Sequence, residues 1–206
     1  MAPRIQSNPE ILRQVAALLG RRRNSAEPLA TLDEVTDLLY RARRYYWIGI
    51  YLNAGRQTVR QTFRGPVAPC DRFQFGRGNV GTTAERGAVK VIADVAKDPT
   101  YSMCFVETRS EMVVPIKTAA RTLGVIDVES DRAAAFGYAD QVLLKQVAAR
   151  IARYLTTEGR SLVRKVAEAS EGAHSANPAS EAQAEKLQPE SEGAATASAR
   201  RRAAGK

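Results

Sequence analysis

Apolar residues recur at three- and four-residue spacing near the start of the chain, where Ile11, Leu12, Val15, Leu18 and Leu19 form one stripe and Gly20 supplies a stop. This predicts an amphipathic helix. Thr31, with Glu34 three residues on, has the form of a capping box ahead of Leu32, Val35, Leu38 and Leu39, which predicts a second helix starting there. From Tyr45 the period changes to two. Tyr46 to Leu52 is rich in aromatic and branched residues, Asn53-Ala54-Gly55 offers a turn, and Val59, Gln61 and Phe63 alternate after it, so a hairpin is predicted. Further strands are expected at Val89–Ala93, Met112–Ile116 and Leu123–Val128, the last two joined by a basic connection around Lys117 to Arg121. A closing helix is expected from Tyr138 to Leu155, with Val142, Leu143, Val147, Ile151 and Tyr154 as its stripe. This order describes an α+β domain, one antiparallel sheet with helices packed against it.

No aromatic residue follows Tyr154, and the remainder is Ala, Ser, Glu, Gly and Pro with few branched apolar residues. Such a segment cannot offset its ordering entropy. The expected organisation is therefore a folded domain over residues 1–158, including the N-terminal helices, and a disordered Ala/Ser/Glu-rich tail over 159–206 that is basic at its end. With 206 residues, 44% of them hydrophobic, the chain has room for one medium domain with appendages. It has no apolar run long enough to span a bilayer and no signal-peptide pattern, so a cytoplasmic protein without membrane contact is expected.

Composition prunes the chemistry. The single histidine, His174, lies in the tail, which argues against Ser–His–Asp and Cys–His hydrolases and against histidine-ligated metals. Two cysteines, Cys70 and Cys104, are too few for a metal cage and too far apart for a C-x-x-C motif. No metal and no cofactor are expected. The net charge of +9 is spread over small arginine clusters without any nucleic-acid-binding motif, so a basic solvated surface is the expected reading and no nucleic-acid partner is expected. A salt-sensitive polyanion adaptor is the weakest of the functions considered. Gly76-Arg77-Gly78-Asn79-Val80-Gly81 fits G-x-G-x-x-G, with Asp94 downstream, but the preceding Asp71 to Phe75 alternates and Gly87 ends the following helix after barely two turns. A tight turn into a short helix is expected there in place of a dinucleotide site.

The same glycine segment, followed by Val91-Ile92-Ala93-Asp94-Val95 with Asp98-Pro99, then Thr108 to Ile116, then Gly124 to Ser130 and a final helix, resembles a GAF domain over residues 10 to 157. The resemblance implies a central antiparallel sheet with the N- and C-terminal helices on one face and a ligand pocket on the other. Within GAF domains the chain is most similar to the free methionine-(R)-sulfoxide reductases. That family carries three cysteines, of which Cys70 matches the first and Cys104 the third, while Val80 stands at the second. The resemblance implies a catalytic Cys104, a resolving Cys70, pocket acids at Glu111, Asp127 and Glu129 (the last usually Asp), and Trp47 beside the substrate's methyl group.

The residues themselves support this more loosely. Asp127 and Glu129 are two apart on a strand and share one face, with Ile126 and Val128 on the other. Two such acids joined by Glu111 suit an ammonium ligand, or one acid kept protonated by the others. Cys104 has no base near it in sequence, leaving Arg109 or a helix end to lower its pKa. Two functions are carried forward. One is a thiol-dependent reductase of free methionine-(R)-sulfoxide, with Glu111 or Glu129 as proton donor and thioredoxin as reductant. The other is a noncatalytic GAF sensor of another small ligand. A second copy of the chain is a candidate partner for either.

Overall fold

The computed structural model describes residues 6–21, 28–67 and 70–176, with side chains described as far as residue 169. Helix α1 runs Asn8–Leu19 and α2 runs Pro28–Arg43. Strands β1 (Trp47–Ala54) and β2 (Gln57–Arg64) form the hairpin, and β3 (Arg72–Gln74) precedes α3 (Gly78–Arg86). After β4 (Lys90–Ile92) and a short 3-10 turn at Val95–Lys97, strands β5 (Ser110–Lys117) and β6 (Thr122–Ser130) form a second hairpin. Helices α4 (Tyr138–Thr156) and α5 (Arg160–Ala176) follow. The residues up to 171 form one compact unit; of a second unit, 172–206, only the end of α5 is described.

The strands make one six-stranded sheet in the order β3-β2-β1-β6-β5-β4, every neighbouring pair antiparallel. Because strand side chains alternate between faces, each central strand feeds two cores. Ile48, Ile50 and Leu52 of β1, Met112, Val114 and Ile116 of β5, and Ile126 and Val128 of β6 meet Ile11, Leu32, Leu39, Leu143, Val147 and Ile151 of the helices on one face. Trp47, Tyr51, Val113 and Val125 point the other way and pack with Phe73, Phe105, and Val80 and Ala84 of α3. The N- and C-terminal helices thus share one face, as expected for this α+β class, and α3 covers the other.

Two expectations change. Helix α2 begins at Pro28, so Thr31 lies inside its first turn and is buried instead of capping the helix. Proline already carries a helix-compatible φ and lacks the N–H that a first-turn residue would leave unsatisfied. The chain also does not lose structure at residue 159. Helix α5 covers 160–176, with Leu162 buried in the helical core and Val163 and Val166 packed beside it. Three apolar residues at this spacing give one turn-aligned contact, enough to dock a helix that composition averaged over the tail conceals. His174 lies within α5, and the rest of the tail, 177–206, lies outside the described residues.

Candidate active site

The glycine segment forms the tight entry to α3. Gly76 and Gly78 have φ of 78° and 60°, where a side chain is strained, and a Cβ on Gly81 would lie 2.0 Å from the Gln74 carbonyl oxygen. The turn so closed lays α3 over β5 and β6, with its first residues buried above the acids.

Pairing across three strands assembles the acids. Trp47 of β1 stands opposite Glu129 of β6, which stands opposite Glu111 of β5; in the next row Gly49, Asp127 and Val113 are aligned. The Trp47 indole lies over Gly49, where a Cβ would come 2.3 Å from its Cη2 atom. Gly49, the residue paired with Asp127, therefore provides the space in which the indole folds along its own strand. Glu111, Asp127 and Glu129 are only 3%, 2% and 3% exposed.

Burial dominates their protonation. It pushes Glu111 up to about 8, helped by the charge of Glu129 and opposed by a hydrogen bond from Asn79 and by the charge of Lys90. Glu129 is pushed up to about 7 by burial, against a hydrogen bond from the Thr108 hydroxyl. Asp127 is raised well above the usual carboxylate range, first by burial and then by Glu111 and Glu129. Asp127 Oδ1 and Trp47 Nε1 are buried without a hydrogen-bond partner among the described residues. Three carboxyls in one desolvated space cannot all ionise near neutral pH, so the site holds protons and has an acceptor oxygen with nothing to accept from.

Cys70 and Cys104 are joined by a disulfide, their Cα atoms 5.7 Å apart. This lies inside the range a bridge requires. Phe105, next to Cys104, packs on Trp47 with ring centroids 5.7 Å apart, and the Tyr51 hydroxyl donates to the Cys70 carbonyl at 3.2 Å. Both cysteine segments thus rest on the aromatic cluster that shares the sheet face with the acids. Val80 is buried in that same cluster. The chain leaving Cys104 reaches the acids through Thr108, which bonds Glu129, and Glu111 itself. All six residues singled out from the sequence therefore lie on one side of the sheet.

Sequence reasoning missed the polar group behind Glu111. Asn79 Nδ2 donates to Glu111 Oε2 at 2.6 Å, and Lys90 Nζ donates to Asn79 Oδ1 at 2.5 Å and to Thr100 Oγ1 at 3.0 Å. One signal existed: Lys90 alternates with Ile92 on a strand, which marks them as sharing a face, but a lysine there reads as solvated.

The family model for the GAF domain matches residues 27–155. The chain belongs to the GAF domain family. Among curated relatives, this GAF domain is 34% identical over 130 residues to the free methionine-R-sulfoxide reductase of Escherichia coli, spanning 63% of this chain and 78% of that one. It is 33% identical over 138 residues to GAF domain-containing protein A of Dictyostelium discoideum, spanning 66% and 85%. Among solved structures, it resembles the free methionine-R-sulfoxide reductase of Neisseria meningitidis in complex with its substrate, with a TM-score of 0.69, 29% identity, and coverage of 75% of this chain and 91% of that one.

Proposed function

We propose that this GAF domain reduces free methionine-(R)-sulfoxide, using Cys104 and Cys70 as its redox pair. The observation that carries the reading is the Cys70–Cys104 bridge, seated on the aromatic cluster beside a buried, proton-holding acid row. The bridge is the end state that such a cycle would reach. The similarity to two reductases of this activity supports the same reading.

In the reduced protein, the Cys104 thiolate attacks the sulfoxide sulfur while a protonated carboxyl, Glu111 or Glu129, delivers its proton to the oxygen. In the adduct so formed, the hydroxyl passes from the substrate sulfur to the Cys104 sulfur as the bond between the two sulfurs breaks; methionine leaves with that electron pair as the thioether, and Cys104 carries the hydroxyl as a sulfenic acid. The Cys70 thiol then attacks the Cys104 sulfur, water departs, and the disulfide forms. A dithiol reductant, with thioredoxin as the candidate, returns both thiols. The raised carboxyls keep a proton available near neutral pH. Asp127 Oδ1, buried without a partner, is suited to the substrate's ammonium, whose charge would restore the carboxylate. Trp47 is suited to wall the methyl group.

One observation favours the noncatalytic sensor instead: Val80 occupies the place of the reductase family's second cysteine and is fully built into the core. A single experiment separates the two readings. The reduced protein is incubated with dithiothreitol and the R or S epimer of free methionine sulfoxide, or with a peptide containing the sulfoxide, and methionine is quantified. Turnover of the free R epimer alone is expected. No turnover, together with calorimetric binding of a different metabolite, would leave the sensor.

A further inference from the structure

Asn79 stands between a cation and an acid in a buried position, 2% exposed. The Lys90 ammonium can only donate, so the amide end facing it at 2.5 Å is the oxygen. Thr100 Oγ1 lies 3.2 Å from the same oxygen and 2.6 Å from Asp98 Oδ1, and Lys90 Nζ lies 3.8 Å from Asp98 Oδ2. These contacts hold the ammonium against the amide. The other end of the amide, an NH2 group, is then forced toward Glu111 Oε2, 2.6 Å away. An N–H cannot accept, so that carboxyl oxygen must.

We propose that Lys90 and Asn79 are positioning residues for Glu111: the ammonium fixes the amide, the amide makes Oε2 an obligate acceptor, and any proton on the carboxyl resides on Oε1. A proton held on one defined oxygen can be delivered in one direction. Glu129 has no such lock, because its partner, the Thr108 hydroxyl, can donate or accept. In the proposed reduction the proton therefore comes from Glu111. This last step rests on the reductase reading; the orientation of the carboxyl does not.

Glu111 is faced by Glu129 and Asp127 from β6, Lys90 from β4, Asp98 and Tyr101 from the segment after the 3-10 turn, Tyr51 from β1, and Asn79 from α3. Lys90 is the only cation in this set. It acts on Glu111 both through its charge and through the amide it orients, and two variants separate these. Lys90→Met removes the charge and the donor, which frees Asn79 to turn its oxygen toward Glu111 and demand a proton there. Lys90→Gln removes the charge but keeps an NH2 for Asn79 Oδ1.

The test is a side-chain carboxyl 13C NMR titration of the full-length protein labelled at glutamate, with the Glu111 signal identified by its loss in Glu111→Gln. The expected order of Glu111 midpoints is wild type, then Lys90→Gln, then Lys90→Met, the last raised by about one pH unit or more. Equal midpoints for the two lysine variants, or no shift in either, would overturn the positioning role. In turnover assays the basic limb of the pH profile is expected to move upward with the Glu111 midpoint. A limb that stays in place while the midpoint moves overturns Glu111 as the proton source. A shifted midpoint in a protein that makes no methionine at all overturns the reductase reading and leaves the network intact.

Discussion

Glu111 on β5 and Glu129 on β6 are directly paired across the sheet, both buried, and each is bonded by a side chain from a different segment, Asn79 and Thr108. Like charges directly opposite on a sheet are destabilising, more so when desolvated. The pair is tolerable because at least one member keeps its proton.

That arrangement makes stability fall as pH rises. The native pKa of Glu111, about 8, is raised above its unfolded value, so the native state binds more protons than the unfolded chain between roughly pH 4.5 and 8. Glu129 acts in the same direction up to about 7. Melting temperatures measured from pH 5 to 9 should decline across this window. Glu111→Gln should flatten the decline and, at pH 9, stabilise the empty protein by on the order of 3 kcal/mol. A decline of unchanged steepness in Glu111→Gln would refute the assignment.

Asp127→Asn should separate stability from binding. Burial keeps Asp127 protonated in the empty protein, and asparagine mimics that neutral side chain without the proton that folding must otherwise take up, so the empty variant should be more stable than wild type at neutral pH and by a margin that grows as pH rises. Affinity for free methionine-(R)-sulfoxide, measured by calorimetry in a Cys104→Ser background, should weaken by about 1.5–3 kcal/mol if Asp127 holds the ammonium. Unchanged affinity would remove Asp127 from the ligand site.

The cysteines should differ in single-turnover assays. Cys104→Ser should form no methionine, whereas Cys70→Ser should form about one equivalent and then stop with a sulfenic acid that dimedone traps. Equal yields from the two variants are incompatible with their proposed roles.

The end of the folded domain can be located by truncation. Ending the chain after Ala176 should leave the melting temperature nearly unchanged, because the removed residues carry few branched apolar side chains. Ending it after Thr157 should lower stability, and Leu162→Ala alone should cost about 2–4 kcal/mol in chemical denaturation, since Leu162 is buried in the helical core.

The periodicities determined most of the fold. A two-residue alternation decides which side chains share a sheet face, and a 3.6-residue stripe decides which face a helix buries, so the common face of Asp127 and Glu129 and the helical core were legible without contacts, while Trp47 was singled out only through the family resemblance. Motif order tied these elements to the GAF family. The ends at Gly20, Gly87 and Tyr138 were legible, whereas the capping motif at Thr31 and the composition after residue 159 misplaced two others, because a helix boundary depends on what its first and last turns pack against. Tertiary structure alone decided the long-range distances: that Cys70 and Cys104, 34 residues apart, bring their Cα atoms to 5.7 Å, and that Lys90 reaches Glu111 through an asparagine on a helix. The physical reason is the same in both cases. Burial and the shift of a pKa arise where separate segments exclude water together, and no one segment carries that information.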